Sequence, residues 1–178
     1  MPPCFPGCRS TWSGTVSDMV IMGIDPGYAI VGYGVVEYQH GKFRHIGHGV
    51  IRTPAGVPLH RRLLDIYRDM HTLLDTFRPD QMAVEELFFN TNITTGIQVG
   101  HARGVILLTA AEYGLDPAEY TPPQIKQAVV GYGRAEKSQV MEMTRLLLHL
   151  DRVPRPDDAA DALAVAVCHG HGSDSRLR

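Results

Sequence analysis

Hydrophobic and polar positions along the chain change period several times. Val20–Ile24 is a short apolar run halted by Asp25-Pro26-Gly27, a strand meeting a turn. Gly32–Gln39 and Phe43–Arg52 predict two more strands, joined at His40-Gly41 as a hairpin. From Pro58 to Phe77, the residues Leu59, Leu63, Ile66, Met70, Leu73 and Phe77 recur at steps of three and four, which is one face of an amphipathic helix. Arg78-Pro79-Asp80 stops that helix, and Gln81–Phe89 predicts a buried strand. Thr95–Tyr113 predicts a second helix closed by Gly114, and Ala118–Thr121 a short strand. Helices follow over Pro122–Val130, Lys137–Leu150 and Asp157–Cys168, the first leading into the loop Gly131-Tyr132-Gly133. From His169 the chain turns polar and is expected to fray, with 172–178 a flexible tail.

Three strands followed by strand–helix alternation predict an α/β fold: a mixed sheet with helices on both faces. Residues 1–18 break the pattern. They hold three prolines, two glycines and the single Trp without periodicity, and are expected to form a disordered extension ahead of one domain over 19–171. Cys4 and Cys8 lie in that extension without further zinc ligands beside them.

Charge narrows the function. Seventeen Lys+Arg against 19 Asp+Glu leave a net charge of −2, which excludes a histone-like binder but permits a local basic groove. No apolar run approaches the ~20 residues of a membrane-spanning helix. Three cysteines cannot all pair, and no apolar segment behind a basic start suggests a signal peptide. The expectation is a soluble cytoplasmic protein.

Acids stand at three element boundaries. Asp25 ends the first strand, Glu85 and Glu86 lie inside an apolar strand, and Asp158 and Asp161 share a face near the start of the last helix. An acid in a buried strand is costly unless paired, hydrogen-bonded or bound to metal. Converging carboxylates repel one another until a hard cation such as Mg²⁺ or Mn²⁺ neutralises them. Ala159, Ala160, Ala162, Ala164 and Ala166 would let the last helix approach the sheet closely. Each acid also has a plainer role. Asp-Pro-Gly is a common turn, Asp157 and Asp158 suit a helix start, and alternation cannot say whether Glu85 or Glu86 faces inward.

Six segments in order carry a resemblance to a known family. They are Gly23-Ile24-Asp25-Pro26-Gly27, Ala83-Val84-Glu85 with Phe88, and Gly100-His101-Ala102-Arg103-Gly104. After them come Ile125-Lys126-Gln127-Ala128-Val129-Val130-Gly131, Ala135-Glu136-Lys137-Ser138-Gln139-Val140 and Asp158-Ala159-Ala160-Asp161-Ala162-Leu163-Ala164. Over Val20 to His171 the chain resembles the RuvC family of Holliday-junction resolvases. The resemblance implies a ribonuclease-H-like fold with a mixed five-stranded sheet. It also implies a homodimer that nicks two opposing strands of a four-way DNA junction, in recombination and repair. Asp25, Glu85, Asp158 and Asp161 would bind two Mg²⁺ ions, with Mn²⁺ able to substitute. One ion would activate the attacking water and the other would stabilise the leaving 3′ oxygen, giving 5′-phosphate and 3′-hydroxyl ends. Glu86 and Asp157 fall outside the motif.

The same resemblance assigns Lys126 and Lys137 to DNA contact, Lys137 also to catalysis, and Phe88 to bases near the crossover. Arg103, Arg134 and Arg44 would supply further DNA contacts. It implies RuvA–RuvB branch-migration partners as well. Thr91 and Gln98 stand where relatives commonly carry lysine, His101 replaces a usual glutamine, and Val31 replaces a frequent threonine.

Other readings fit less well. Gly131-Tyr132-Gly133-Arg134-Ala135-Glu136-Lys137-Ser138 approaches a phosphate-binding loop, but Glu136 replaces the second glycine. An actin-like ATPase would need a longer chain. A nuclease acting on structured RNA shares the fold, and a non-cleaving junction scaffold would be expected to lack a carboxylate. The pairs His45/His48 and His169/His171 lack a third metal ligand and are expected on the strand surface and in the tail.

Overall fold

Strand β1, Met19–Asp25, alternates its side chains between two apolar layers, with Ile21 in one and Met22 and Ile24 in the other. In this computed structural model the backbone is described over residues 18–86 and 93–175. The expectations for residues 1–17, Phe88, Thr91 and 176–178 lie outside the described residues.

Strands β2, Ile30–Gln39, and β3, Lys42–Arg52, continue from β1 as an antiparallel meander. The β2–β3 turn is the one expected. His40 and Gly41 both take positive φ, 48° and 79°, as a two-residue turn matched to strand twist requires. Helix α1, Leu59–Phe77, buries Ile66, Met70 and Leu74 along one face and ends at Arg78 in the left-handed conformation. Strand β4, Gln81–Glu85, then lies parallel to β1. Helix α2, Ile93–Glu112, leads to β5, Ala118–Tyr120, parallel to β4. The sheet order is β3-β2-β1-β4-β5, a mixed five-stranded sheet as expected.

The remaining helices are α3, Pro122–Val130, α4, Lys137–Leu147, and α5, Asp157–Ser175. Thr121 starts α3 with a capping box to Gln124, and Gly131 closes it at φ 97°. Side chains of α1 and α2 share one core layer with Met22, Val35 and Met82. Those of α3, α4 and α5 share the other with Ile21, Val36 and Ala83, so helices cover both faces.

Most boundaries shift by a residue or two. Strand β4 stops at Glu85, so Glu86 lies outside the strand expected to hold both acids, and two helix ends differ on physical grounds. Helix α4 stops at Leu147 instead of Leu150, because His149 turns to φ 52° and Arg145 Nη1 takes up the Leu150 carbonyl at 2.9 Å. Helix α5 does not fray at His169, and it runs through part of the supposed 172–178 tail to Ser175. His169 is buried, its ring nitrogens hydrogen-bonded to Tyr120 Oη at 3.0 Å and Gln81 Oε1 at 2.6 Å. His171 meets the Ala128 carbonyl at 3.1 Å and stands edge-on to Phe43. The polar stretch is thus bonded to the sheet and to α3 rather than to water. His45 and His48 are half-buried and pair with each other at 2.7 Å, brought to one face by a bulge in β3.

The closest packing lies between α5 and the backbone of β1 and β2. A Cβ on Gly23 would stand 2.2 Å from Ala162 O and 2.5 Å from Ala166 N. On Gly32 it would reach Asp158 O at 2.0 Å, and on Gly34 Leu163 N at 2.6 Å. The alanine-rich helix therefore sits directly on a glycine-lined strand pair, and its first turn arrives at the end of β1.

Candidate active site

Because β1 and β4 run parallel with Ile24 beside Val84, the two residues that follow, Asp25 and Glu85, leave the sheet side by side. Asp161 reaches the same place from α5, and Lys126 and Lys137 from α3 and the start of α4. These five side chains line a cavity of about 300 Å³, walled on its apolar side by Ile125, Val140 and Ala164. Asp158 stands one helical turn before Asp161, close enough for its charge to act on both Asp25 and Asp161.

The electrostatics are those of crowded acids. Burial, then the charges of Glu85, Asp161 and Asp158, push the Asp25 carboxyl up to about 8, with Lys137 opposing. Burial and Asp161 raise Glu85 to about 7 against both lysines. Burial raises Asp161 too, offset by Lys137, whose Nζ donates to Asp161 Oδ2 at 2.6 Å. Partial burial pulls the Lys137 ammonium down, but Asp161, Asp157 and Asp25 hold it above its usual range.

Hard oxygen donors that raise one another's proton affinity are the set a divalent cation neutralises. As they stand, no three acid, histidine or cysteine side chains among the described residues close around one point, and Lys137 already occupies an oxygen of Asp161. The donor chemistry of Asp25, Glu85 and Asp161 fits a hard cation.

The other candidates fall elsewhere. Glu86 is half-buried with its N–H bonded to Tyr120 O at 2.8 Å, off the cavity. Asp157 pairs with Arg155. Arg103, 19% exposed, is tied to Glu119 at 2.5 Å, and its buried Nε has no hydrogen-bond partner among the described residues. Arg44 is paired with Glu37 on the hairpin, and Arg134 is exposed between α3 and α4. Val31 is a core residue, so its departure from threonine concerns packing. Gly131 and Glu136 serve as helix caps, which leaves no phosphate-cradling loop there. The apolar wall of the cavity was not foreseen: Ile125, Val140 and Ala164 stand in the family segments but had no assigned role there.

Comparison with known proteins decides the family. The profile described as crossover junction endodeoxyribonuclease RuvC matches residues 21–169. The chain belongs to the RuvC family. A RuvC of Ruminiclostridium cellulolyticum is 56% identical over 153 residues, covering 86% of this chain and 92% of the relative. The Thermus thermophilus RuvC structure superposes with a TM-score of 0.83 at 38% identity, covering 89% of this chain and 97% of that one. The T. thermophilus RuvC in complex with a Holliday junction substrate gives 0.84 at the same identity, covering 89% and 96%. The sheet described above is accordingly the ribonuclease-H-like sheet of RuvC, and the cavity lies at the carboxyl ends of its two central parallel strands.

Proposed function

We propose that this chain is a crossover junction endodeoxyribonuclease that resolves four-way DNA junctions by hydrolysing one phosphodiester in each of two opposing strands. The observation that carries this reading is the single cavity holding Asp25, Glu85, Asp161 and two lysines in a chain of the RuvC family. Hydrolysis adds water to phosphorus and breaks the P–O3′ bond, leaving a 5′ phosphate and a 3′ hydroxyl that can be religated. Asp25, Glu85, Asp158 and Asp161 are proposed to hold two Mg²⁺ ions, with Mn²⁺ as substitute. When bound, the ions supply Lewis-acid activation of the water and charge stabilisation of the leaving oxygen. Lys126 and Lys137 draw the phosphodiester to an otherwise repellent acidic cavity, and Lys137 fixes the direction of Asp161. Arg134, exposed between α3 and α4, and Phe88 are proposed to extend the contact with DNA.

The test is cleavage of a synthetic junction in Mg²⁺ or Mn²⁺, beside a linear duplex, a fork and a structured RNA. Paired symmetrical nicks in the junction alone are expected. Cleavage of RNA alone, or binding without cleavage, would overturn the substrate assignment. Lys137→Met is expected to slow junction cleavage ~100-fold. Its acid limb should move to higher pH, because Asp161 and Asp25 lose the cation that restrains their protonation. A pH–rate profile of the variant checks both.

Two such sites in one particle suit a two-fold junction, and α2 offers a surface for a second copy. Its inward face buries Ala102, Ile106 and Ala110. The opposite face presents Ile97 at 55% and Leu108 at 59% exposure, with Gly100 and Gly104 facing open space and so not packed on the sheet. Leu108→Glu is expected to weaken dimerisation tenfold or more, at about the level of a central interface residue. Sedimentation equilibrium reads the change, and an unaltered dimer constant would remove this face from the proposal. No helix among the described residues is long and apolar enough to cross a membrane. A cytoplasmic site of action, with junctions delivered by a RuvA–RuvB-type branch-migration complex, completes the reading.

A further inference from the structure

Five polar side chains are buried among the described residues: Thr53, Arg62, Thr109, Thr144 and His169. Thr109 and Thr144 return their hydroxyls to their own helices, and His169 joins α5 to the sheet. Thr53 and Arg62 instead converge on residues 26–29, the turn that follows Asp25. The Thr53 N–H donates to Ala29 O at 3.0 Å, and its hydroxyl donates to Tyr28 O at 2.7 Å. Arg62, 7% exposed in the first turn of α1, places its Cζ 4.7 Å from the Tyr28 ring centroid and donates from Nε to Pro54 O at 2.8 Å. The turn itself has no slack at Gly27, where a Cβ would meet Ile30 O at 2.1 Å.

A buried guanidinium is costly, and an apolar side chain would fill the same space more cheaply. The partners of Arg62 are a carbonyl and a ring face, both directional, and they tie the two loops at this end of the sheet to α1. These contacts are to Pro54 and Tyr28, not to Asp25 itself. Any influence on Asp25 therefore passes through the backbone of the turn.

We propose that Arg62 and Thr53 are positioning residues, which clamp the 26–29 turn and so aim the Asp25 carboxylate into the cavity before DNA arrives. This rests on the reading of that cavity as the nuclease site.

Thr53→Val keeps the side-chain shape and removes the donor, while Thr53→Ser restores it. Arg62→Met removes both donor and cation, while Arg62→Lys keeps the cation. Three quantities are read on the full chain: single-turnover junction cleavage in Mg²⁺, the junction dissociation constant in EDTA, and amide hydrogen exchange over residues 26–31. Thr53→Val and Arg62→Met are expected to slow cleavage by about tenfold to a hundredfold, the scale of a misaimed catalytic group. Exchange in the turn should quicken and junction affinity stay within about twofold of the parent. Thr53→Ser should match the parent, and Arg62→Lys should recover part of the rate. Unchanged cleavage in a folded Thr53→Val would overturn the proposal, as would affinity falling in step with rate, which would make Arg62 a phosphate contact. Thr53→Val also decides the matter if Arg62→Met does not fold. If the parent chain leaves junctions uncut, the nuclease reading fails, and the exchange comparison still judges the clamp.

Discussion

Asp25→Asn is expected to reduce junction cleavage about a thousandfold or more, since a neutral amide cannot replace the carboxylate most deeply set among the others. Junction binding in EDTA should survive or tighten, because one negative charge facing a polyanion is removed. Stability should move in the opposite sense to activity. The folded protein holds a proton on Asp25 up to about pH 8, far above the ordinary 3.8. The folded state therefore binds more protons than the unfolded chain between these values, and metal-free stability is lost as pH rises from about 4 towards 8. Glu85, raised to about 7, adds to the same trend. At pH 8 the Asp25→Asn protein is expected to be more stable than the parent by about 2 kcal/mol, as when a strained active-site charge is removed. At pH 4 the difference should vanish. Urea unfolding in EDTA at both pH values checks this, and a parent stability that is flat or rises with pH would contradict the crowded-acid account.

The largest expected loss of stability comes from a single methyl group. Gly23→Ala would put a Cβ 2.2 Å from Ala162 O and 2.5 Å from Ala166 N, and both atoms are backbone of a buried helix. No rotamer relieves such a contact; α5 must lift from β1 along its central turns. A cost above about 4 kcal/mol is expected, at the severe end for one substitution. Thermal or urea unfolding measures it directly. A melting curve like the parent's would mean that α5 does not seat on the Gly23 backbone.

The local signals of the sequence were enough for most elements. The three-and-four spacing of Leu59 to Phe77 placed α1, and His40-Gly41 placed the hairpin. Asp25-Pro26-Gly27 proved to be both of its readings at once, a turn and an inward acid. Between Glu85 and Glu86, alternation could not choose; the parallel register with Ile24 and Asp25 does so physically, by setting Glu85 beside the end of β1. The family motif had pointed to the same residue. What stayed hidden depended on partners distant along the chain. His169, Gly170 and His171 read as a solvated tail because Gln81, Tyr120 and Phe43 lie far away in sequence. The seating of α5 on Gly23, Gly32 and Gly34 was not legible either, since that helix lies more than 120 residues later. The pairing of Arg103 with Glu119 on β5 was likewise not legible along the chain.

The seat of α5 on bare strand backbone has a further consequence for how this protein fails. Enzymes that carry their reacting groups on pliable loops can be switched off by a local opening long before the whole chain melts. Here Asp158 and Asp161 belong to the helix whose middle is fully buried, and Asp25 and Glu85 terminate the two strands beneath it. Little room exists for a partly disassembled state that keeps the scaffold and loses the acid quartet. Heat or denaturant should therefore extinguish activity and dissolve the architecture in one step, leaving no inert but folded intermediate to occupy a junction unproductively.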